Sequence, residues 1–181
     1  MKNIFFDHKK LKYLGKNAII GKTVRIRKPE KVSIGQNTII DDFTYISCSL
    51  KIGKNCHIGP GVVINGGDQI IEIGDNVDIG ANSTISTSSS NFLEASISSA
   101  AVNKKYHFGT ISEKIIIKDY VLIGSNTVIL PGVSLPKGMA SSSMTVLRKK
   151  KYREWSLYGG YEGNLISKRN YKYFMNKIKK L

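Results

Sequence analysis

The chain has 181 residues, and 41% of them are hydrophobic, which is enough to fill the core of one domain. Its net charge of +15 attracts anions such as nucleic acids, anionic lipids or phosphorylated small molecules, without choosing among them. No apolar run approaches the roughly 20 residues of a transmembrane helix, and the start MKNIFFDHKK lacks the apolar run of about 7–15 residues of a signal peptide. These features exclude a membrane span and predict a cytoplasmic protein.

An aliphatic residue returns at every sixth position through most of the chain. Glycine often follows it, and asparagine often takes the fourth position of the hexad; both residues tolerate the left-handed backbone of a tight corner. Neither a helix nor a lone strand has a period of six, but a short strand followed by a corner does. The repeat positions are Leu14, Ile20, Ile26, Val32, Ile34, Ile40, Ile46, Ile52, Ile58, Ile64, Ile73, Ile79, Ile85, Ile117, Ile123, Ile129 and Leu135.

Three hexads make one triangular coil of about 18 residues, in which each inward aliphatic side chain stacks about 4.8 Å from its copy in the next coil. A shift of two residues separates Val32 from Ile34, and an insertion near Gly66–Gln69 resets the phase. The sequence therefore predicts an all-β parallel helix over residues 1–161.

The segment 86–114 interrupts the repeat and is too long for a simple corner. A long loop in a compact fold is usually functional or disordered. Both alternatives stay open for this serine-rich excursion.

The C-terminal tail, residues 162–181, is predicted to turn helical after Gly163. Its apolar residues fall at helical spacing, and lysines fill the other positions. Such a helix either packs on the β-helix with its lysines reaching solvent or makes a peripheral contact with an anionic membrane surface. The apolar positions are Tyr171, Phe174, Met175, Ile178 and Leu181.

These repeats, the block IIIKDYVLIGSNTVILPGVSLPKG and the ending WSLYGGYEGNLISKR resemble the hexapeptide-repeat acyltransferases. The nearest likeness is to sugar acetyltransferases of the galactoside, maltose and surface-polysaccharide type. The resemblance implies a left-handed β-helix, a homotrimer, and acetyl-CoA bound in a groove between adjacent subunits. It also implies that the excursion loop reaches a neighbouring subunit and helps to wall the active site.

The resemblance assigns several residues to the coenzyme. Positions that contact the pantetheine arm or the thiol end in relatives fall on Gly124, Ser125, Ala140 and Ser142. Positions near the nucleotide end fall on Thr145, Arg148, Lys149 and Lys150, and the basic side chains among them suit phosphates.

The acceptor side is less regular. Asn82 matches an asparagine that binds the sugar in galactoside-type enzymes, although it could equally be a corner asparagine like its repeat-mates. The position of the usual catalytic histidine falls on Ser90, which is a poor base at neutral pH. Some relatives carry carboxylates around Ser90 and Asn91, and this chain does not.

Two other sites could supply a base. His107 lies in the excursion loop, where it could reach a subunit interface, or be a solvated loop histidine. His57 and Asp78 both occupy the sixth position of their hexads, so they become stacked neighbours if the insertion bulges outward. A carboxylate raises a histidine's basicity and orients it, whereas the alternative is a surface ladder pair.

The sequence thus predicts an acetyl-CoA-dependent acetyltransferase that acts on a hydroxyl or amino group of a nucleotide-linked or lipid-linked sugar in surface-polysaccharide assembly. The missing histidine slightly favours an amine, which can arrive deprotonated and needs mainly positioning. A catalytically inactive trimeric scaffold is the alternative. We expect no metal, since Cys48 and Cys56 form no ligand cluster, and no nucleic-acid partner, since no basic-aromatic motif is present.

Overall fold

The computed structural model describes residues 3–93, 97, 99, 101–106 and 109–178, which wind into a parallel β-helix of six complete coils. Coils 1 to 4 contain β1 (Tyr13–Leu14), β2 (Ile19–Ile20), β3 (Arg25–Ile26), β4 (Val32–Ile34), β5 (Ile39–Ile40), β6 (Tyr45–Ile46), β7 (Ser49–Ile52), β8 (His57–Ile58), β9 (Val63–Asn65), β10 (Ile70–Ile73), β11 (Asp78–Ile79) and β12 (Thr84–Ser86). A hairpin follows, formed by β13 (Ser88–Ser90) and β14 (Thr110–Ser112). Coils 5 and 6 contain β15 (Ile115–Ile117), β16 (Leu122–Ile123), β17 (Val128–Ile129), β18 (Ser134–Leu135), β19 (Ala140–Ser141) and β20 (Val146–Leu147).

Each coil contributes one strand to each of three faces. Face A contains β1, β4, β7, β10, β15 and β18, and face C contains β3, β6, β9, β12, β17 and β20. Face B contains β2, β5, β8, β11, β16 and β19, and continues into two C-terminal strands. The prediction of a parallel β-helix is confirmed; its handedness stays a prediction from the family resemblance.

The repeated aliphatic residues fill the interior. On face B, Ile40 pairs in register with Ile58, Ile58 with Ile79, and Ile79 with Ile123. The first three of these side chains expose none of their surface. At about 25 cal/mol per Å² of apolar area removed from water, this continuous column is the main source of stability.

The corners explain the recurring asparagines. Asn17, Asn37, Asn55 and Asn76 all have positive φ angles between 55° and 59° at the corner between faces A and B. Each of the first three donates its side-chain amide to the Oδ1 atom of the next, over 3.1–3.2 Å. The corner asparagine therefore both accepts the left-handed backbone and links consecutive coils.

The C-terminal end departs from the prediction. Residues 164–168 do not form a helix; instead β22 (Asn164–Lys168) pairs antiparallel with β21 (Ser156–Gly159) at the edge of face B. An exposed strand edge carries unpaired backbone groups, and this return strand satisfies them. The helix α1 (Tyr171–Ile178) starts only after it.

The helix α1 packs on the β-helix. Phe174 lies 5.2 Å from Tyr120 and 5.0 Å from Trp155 between ring centroids, and Tyr171 lies 4.5 Å from Trp155. This contact supports the packing alternative for the tail. Across the described ranges, from residue 3 to residue 178 with their gaps, no helix is both long enough and apolar enough to span a bilayer.

Candidate active site

A cleft of about 670 Å³ opens between the hairpin at the base of the excursion loop and the C-terminal coils. Ser90 and Asn91 line it from the hairpin side. Leu130, Pro131 and Val146 form an apolar wall on the solenoid side. Each side also carries residues of the other kind, for example Ile111 on the hairpin and Lys149 on the solenoid, so the cleft suits a ligand with polar and apolar parts.

The hairpin register fixes the positions of the serines on this side of the cleft. Ser88 pairs with Ser112 and Ser90 with Thr110. Just beyond the hairpin, the backbone N–H of Glu113 donates to the carbonyl of Thr87 over 2.9 Å. The chain therefore leaves and rejoins the solenoid at one point, and Glu113 is anchored at that point.

Glu113 forms an ion pair inside the cleft. The ammonium of Lys149 donates to Oε2 of Glu113, although the two residues are 36 positions apart. The side chains remain 63% and 39% exposed, respectively. Exposed ion pairs contribute only about 0–1 kcal/mol, so a charged ligand can open this one at little cost.

Gly132 makes room for this pair. Its φ angle is +77°, and a Cβ atom at this position would lie 2.6 Å from Oε2 of Glu113 and 2.9 Å from Cδ of Lys149. Any other residue would strain the backbone and push the carboxylate away. Gly132 thus leaves free the space that the ends of these two side chains occupy.

Arg148 stacks on an aromatic ring in the same cleft. Its guanidinium carbon lies 5.0 Å from the centroid of Tyr161, which is 70% exposed. A cation over the face of a ring is attracted by the ring's quadrupole, and the planar guanidinium carries the fork of N–H donors that binds phosphate oxygens. Arg148 is therefore the best-placed phosphate ligand in the cleft.

Four of the residues predicted from the sequence meet in this cleft. Ser90 and Asn91, predicted for the acceptor, lie across from Arg148 and Lys149, predicted for the coenzyme. Lys150 follows them, but its ammonium donates to the backbone carbonyl of Glu162 over 2.7 Å.

Four other predicted residues lie at the corner between faces B and C. Asn82 is in coil 4, Gly124 and Ser125 are in coil 5, and Ser142 follows β19 in coil 6. Asn82 has φ +59°, as a corner asparagine does. These four residues do not line the cleft, and their proposed contacts stay predictions.

Ala140 and Thr145 expose almost no surface, at 3% and 0%. The hydroxyl of Thr145 donates to the backbone carbonyl of Ser142 over 2.8 Å. Their part in a coenzyme groove would therefore be to set the shape of the backbone beside Ser142.

His57 and Asp78 are stacked neighbours in register, as the hexad numbering predicts. His57 Nδ1 lies 3.0 Å from Oδ1 of Asp78, and Nε2 lies 2.8 Å from Oδ2 of Asp41, a partner the sequence analysis does not include. Partial burial opposes a higher pKa for His57, but the hydrogen bonds to Asp41 and Asp78 outweigh it and raise the pKa above its usual value. The cluster is about half exposed on face B.

This geometry favours the ladder-pair alternative for His57, since both ring nitrogens already have a carboxylate partner. The cluster is also not part of the cleft. Within the described residues, no group of three His, Cys, Asp or Glu side chains is arranged to hold a metal ion.

The remaining predicted base, His107, lies outside the described residues. Glu113 and Tyr161, which the sequence analysis does not single out, are cleft residues. The signal for Glu113 is its position, because it is an acidic residue at the end of the excursion, directly before the repeat resumes.

Two family models match the repeats. The model described as "Bacterial transferase hexapeptide (six repeats)" matches residues 31–66, and "Hexapeptide repeat of succinyl-transferase" matches residues 70–88. Both segments fall in coils 2 to 4 and at the start of the hairpin.

The chain is also similar to known acyltransferases. It is 28% identical over 167 residues to dTDP-4-amino-4,6-dideoxy-D-glucose acyltransferase of Escherichia coli. This match covers 89% of this chain and 84% of that protein. It is 28% identical over 120 residues to the bifunctional protein GlmU of Nitrosomonas europaea, but this match covers only 26% of GlmU.

Among solved structures, AntD shares the architecture along its whole length. AntD is an N-acyltransferase from Bacillus cereus, and a variant of it was crystallised with dTDP-4-amino-4,6-dideoxyglucose and coenzyme A. The TM-score is 0.88 at 27% identity, covering 99% of this chain and 97% of AntD. The acetyltransferase VCA0836 from Vibrio cholerae, at 21% identity and a TM-score of 0.58, is similar in fold alone.

The repeats, the solenoid and the matches make this chain similar to hexapeptide-repeat transferases. The two relatives matched over most of their own length, the E. coli protein and AntD, are acyltransferases that are named for an amino sugar or were crystallised with one.

Proposed function

We propose that this protein is an acyl-CoA-dependent N-acyltransferase whose acceptor is an amino sugar linked to a nucleoside diphosphate. The observation that carries the proposal is the likeness to AntD, which covers 99% of this chain at a TM-score of 0.88. AntD was crystallised with a nucleotide-linked amino sugar and with coenzyme A. The E. coli relative is named for an acceptor of the same kind.

The cleft supplies suitable chemistry for such a reaction. Both substrates carry phosphates, and Arg148, stacked on Tyr161, offers an in-plane row of donors for phosphate oxygens. The apolar wall of Leu130 and Val146 suits a deoxy sugar or the pantetheine arm. Holding an amine against a thioester in the right geometry can by itself lower the barrier by several kcal/mol.

The acyl donor is proposed to be acetyl-CoA. AntD was also crystallised with 3-hydroxybutyryl-CoA, so a protein of this fold can bind a longer acyl-CoA. A donor series from acetyl-CoA to 3-hydroxybutyryl-CoA measures this selectivity directly.

We also propose that the active form is a homotrimer. The outward row of face B exposes aliphatic side chains on both sides of the His57–Asp78 pair: Ile19 is 54% exposed, Ile39 37% and Leu122 42%. Exposed aliphatic residues on one face of a protein can mark an interface with another subunit. Sedimentation equilibrium should give three times the chain mass of 20.1 kDa; a monomer at micromolar concentration contradicts this part of the proposal.

The cellular setting rests on the family resemblance. We propose cytoplasmic acylation of a sugar destined for surface polysaccharide such as lipopolysaccharide. The tail allows one further proposal, a peripheral contact with anionic membranes, because Tyr171 and Tyr173 are 42% and 62% exposed among its lysines.

The test is an acyl-transfer assay that follows the release of the coenzyme thiol from acetyl-CoA. We expect turnover with dTDP-4-amino-4,6-dideoxyglucose, and none with dTDP-6-deoxyglucose, the matched acceptor that carries a hydroxyl in place of the amine. Transfer to the hydroxyl alone would show an O-acetyltransferase.

A binding measurement separates the enzyme from the scaffold alternative. Coenzyme A at 100 times its dissociation constant should stabilise the protein by about 2.7 kcal/mol. No stabilisation by coenzyme A, together with no turnover, would identify an inactive scaffold.

A further inference from the structure

We infer that Glu113 is the residue that binds the ammonium group of the acceptor and takes its proton, so that this carboxylate does the work of the missing histidine. The inference rests on the proposed function, because it concerns the same cleft and an amine acceptor. It adds an assignment that the sequence alone does not supply, since the usual histidine position is Ser90.

The location of Glu113 is the first argument. Among the described residues that line the cleft, Glu113 is the one with a carboxylate. It lies on the same wall as Ser90, because the hairpin pairs the outgoing and returning strands of the loop. Its backbone is fixed by the hydrogen bond to Thr87.

The second argument is that the site already holds an ammonium group. The Lys149 ammonium lies against Oε2 of Glu113 and is a primary amine cation, as the acceptor's amino group is before reaction. A carboxylate has about four lone-pair positions, so Glu113 can accept from the substrate beside Lys149 or in its place. Because an exposed ion pair contributes little free energy, either exchange with the substrate is energetically easy.

The third argument is that the backbone is shaped around this pair. Gly132 has no Cβ where one would lie 2.6 Å from Oε2 of Glu113. Its φ of +77° also makes this position unfavourable for most other residues. Residue 132 therefore has no side chain at the place that the Glu113 carboxylate occupies.

The proton balance is simple. The acceptor arrives as an ammonium ion, and Glu113 removes one proton to give the neutral amine. The nitrogen lone pair then attacks the thioester carbonyl carbon and forms the N–C bond, and the resulting intermediate expels the coenzyme thiolate as the C–S bond breaks. The second N–H proton leaves with the thiolate as the free thiol, and Glu113 returns its proton to water.

The test compares Glu113→Gln with the wild type in the acyl-transfer assay across pH. Glutamine has nearly the same shape and keeps a hydrogen-bond acceptor, but it cannot take a proton. We expect kcat/KM at neutral pH to fall by about 10²–10⁴-fold. The defect should shrink at pH values above the amine's own pKa, where the acceptor arrives deprotonated.

Three controls keep the result interpretable. Glu30→Gln, an exposed glutamate at the opposite end of the solenoid, should retain wild-type kinetics. Glu113→Asp keeps the carboxylate on a shorter side chain and should recover part of the activity. The stabilisation by coenzyme A should be the same in Glu113→Gln as in the wild type, which shows a folded protein with an intact donor site.

The outcomes distinguish this inference from the proposed function. If the wild type transfers no acyl group to amino sugars, the proposed function fails. If the wild type is active and Glu113→Gln has the same kcat/KM and pH profile, the function stands and the inference is wrong. A defect that is equal at every pH would show a purely structural role and would also overturn it.

Discussion

Replacing Gly132 by alanine should disable the cleft while leaving the fold in place. The new Cβ would lie 2.6 Å from Oε2 of Glu113, whereas ordinary contact begins near 3.4 Å, so the carboxylate must retreat by about 0.8 Å. Misplacing a reacting group by about 1 Å can cost roughly 10²-fold. We therefore expect kcat/KM in the acyl-transfer assay to fall by about two orders of magnitude.

The same change also strains the backbone, and a second glycine separates the two effects. Gly160 has nearly the same φ, +78°, but no atom lies within 4 Å of its virtual Cβ. Alanine in the left-handed region costs about 1–2 kcal/mol at either position, which for a chain of this size lowers Tm by roughly 2–8 °C. Only Gly132→Ala should also lose activity.

The comparison has a clear refuting result. If Gly132→Ala and Gly160→Ala show the same activity after correction for the folded fraction, the position of the Glu113 carboxylate does not matter for turnover. The reasoning that links the bare backbone at residue 132 to catalysis would then be wrong.

Three further changes test other parts of the structure. Ile64 is fully buried between Ile46 and Ile85 in face C, so Ile64→Ala should lower the free energy of unfolding in urea by about 2–5 kcal/mol. A loss no larger than that of Val63→Ala, at the partly exposed outward neighbour, would contradict a filled core. The raised pKa of His57 means that its ion pairs stabilise the fold below the ordinary pKa and fade as pH rises through the folded-state pKa; the stability lost in His57→Gln should therefore be larger at pH 5.5 than at pH 8.5, and an equal loss would refute this. Arg148→Ala should raise the KM of a phosphate-bearing substrate by roughly 10- to 150-fold, the equivalent of about 1.5–3 kcal/mol for a charged hydrogen bond, with Arg27→Ala as the unaffected control.

The period of six was sufficient to predict the core and much of the surface register. Because each inward residue stacks on its counterpart one coil away, numbering by hexads predicts from the sequence alone that His57 lies beside Asp78, as it does. The prediction also required the insertion to bulge outward, and it does so between β9 and β10, where Gly66 has φ +154°. The hexad numbering does not predict the contact of His57 with Asp41, since Asp41 follows the strand β5 and reaches His57 diagonally.

The C-terminal strand shows where a local pattern misleads. The sequence predicts a helix directly after Gly163, but the edge of face B needs a partner for β21, and Leu165 and Ile166 lie in the strand that supplies it. That need arises from the end of the solenoid, which is a tertiary feature. The helix itself, from Tyr171, follows the predicted spacing and packs through Phe174.

Only some of the residues that line the cleft could be predicted from the sequence. The family resemblance marked Ser90, Asn91, Arg148 and Lys149, and the structure brings them together. It could not mark Glu113, because the excursion has no period and its return point depends on the pairing of β13 with β14.

The most direct test of the account is a crystal structure of the protein with coenzyme A and dTDP-4-amino-4,6-dideoxyglucose. The account predicts the sugar amine in the cleft beside Glu113, about 3–3.5 Å from the reacting end of the donor, with a phosphate on Arg148. Coenzyme and sugar bound together at a place remote from Glu113 and Arg148 would contradict it.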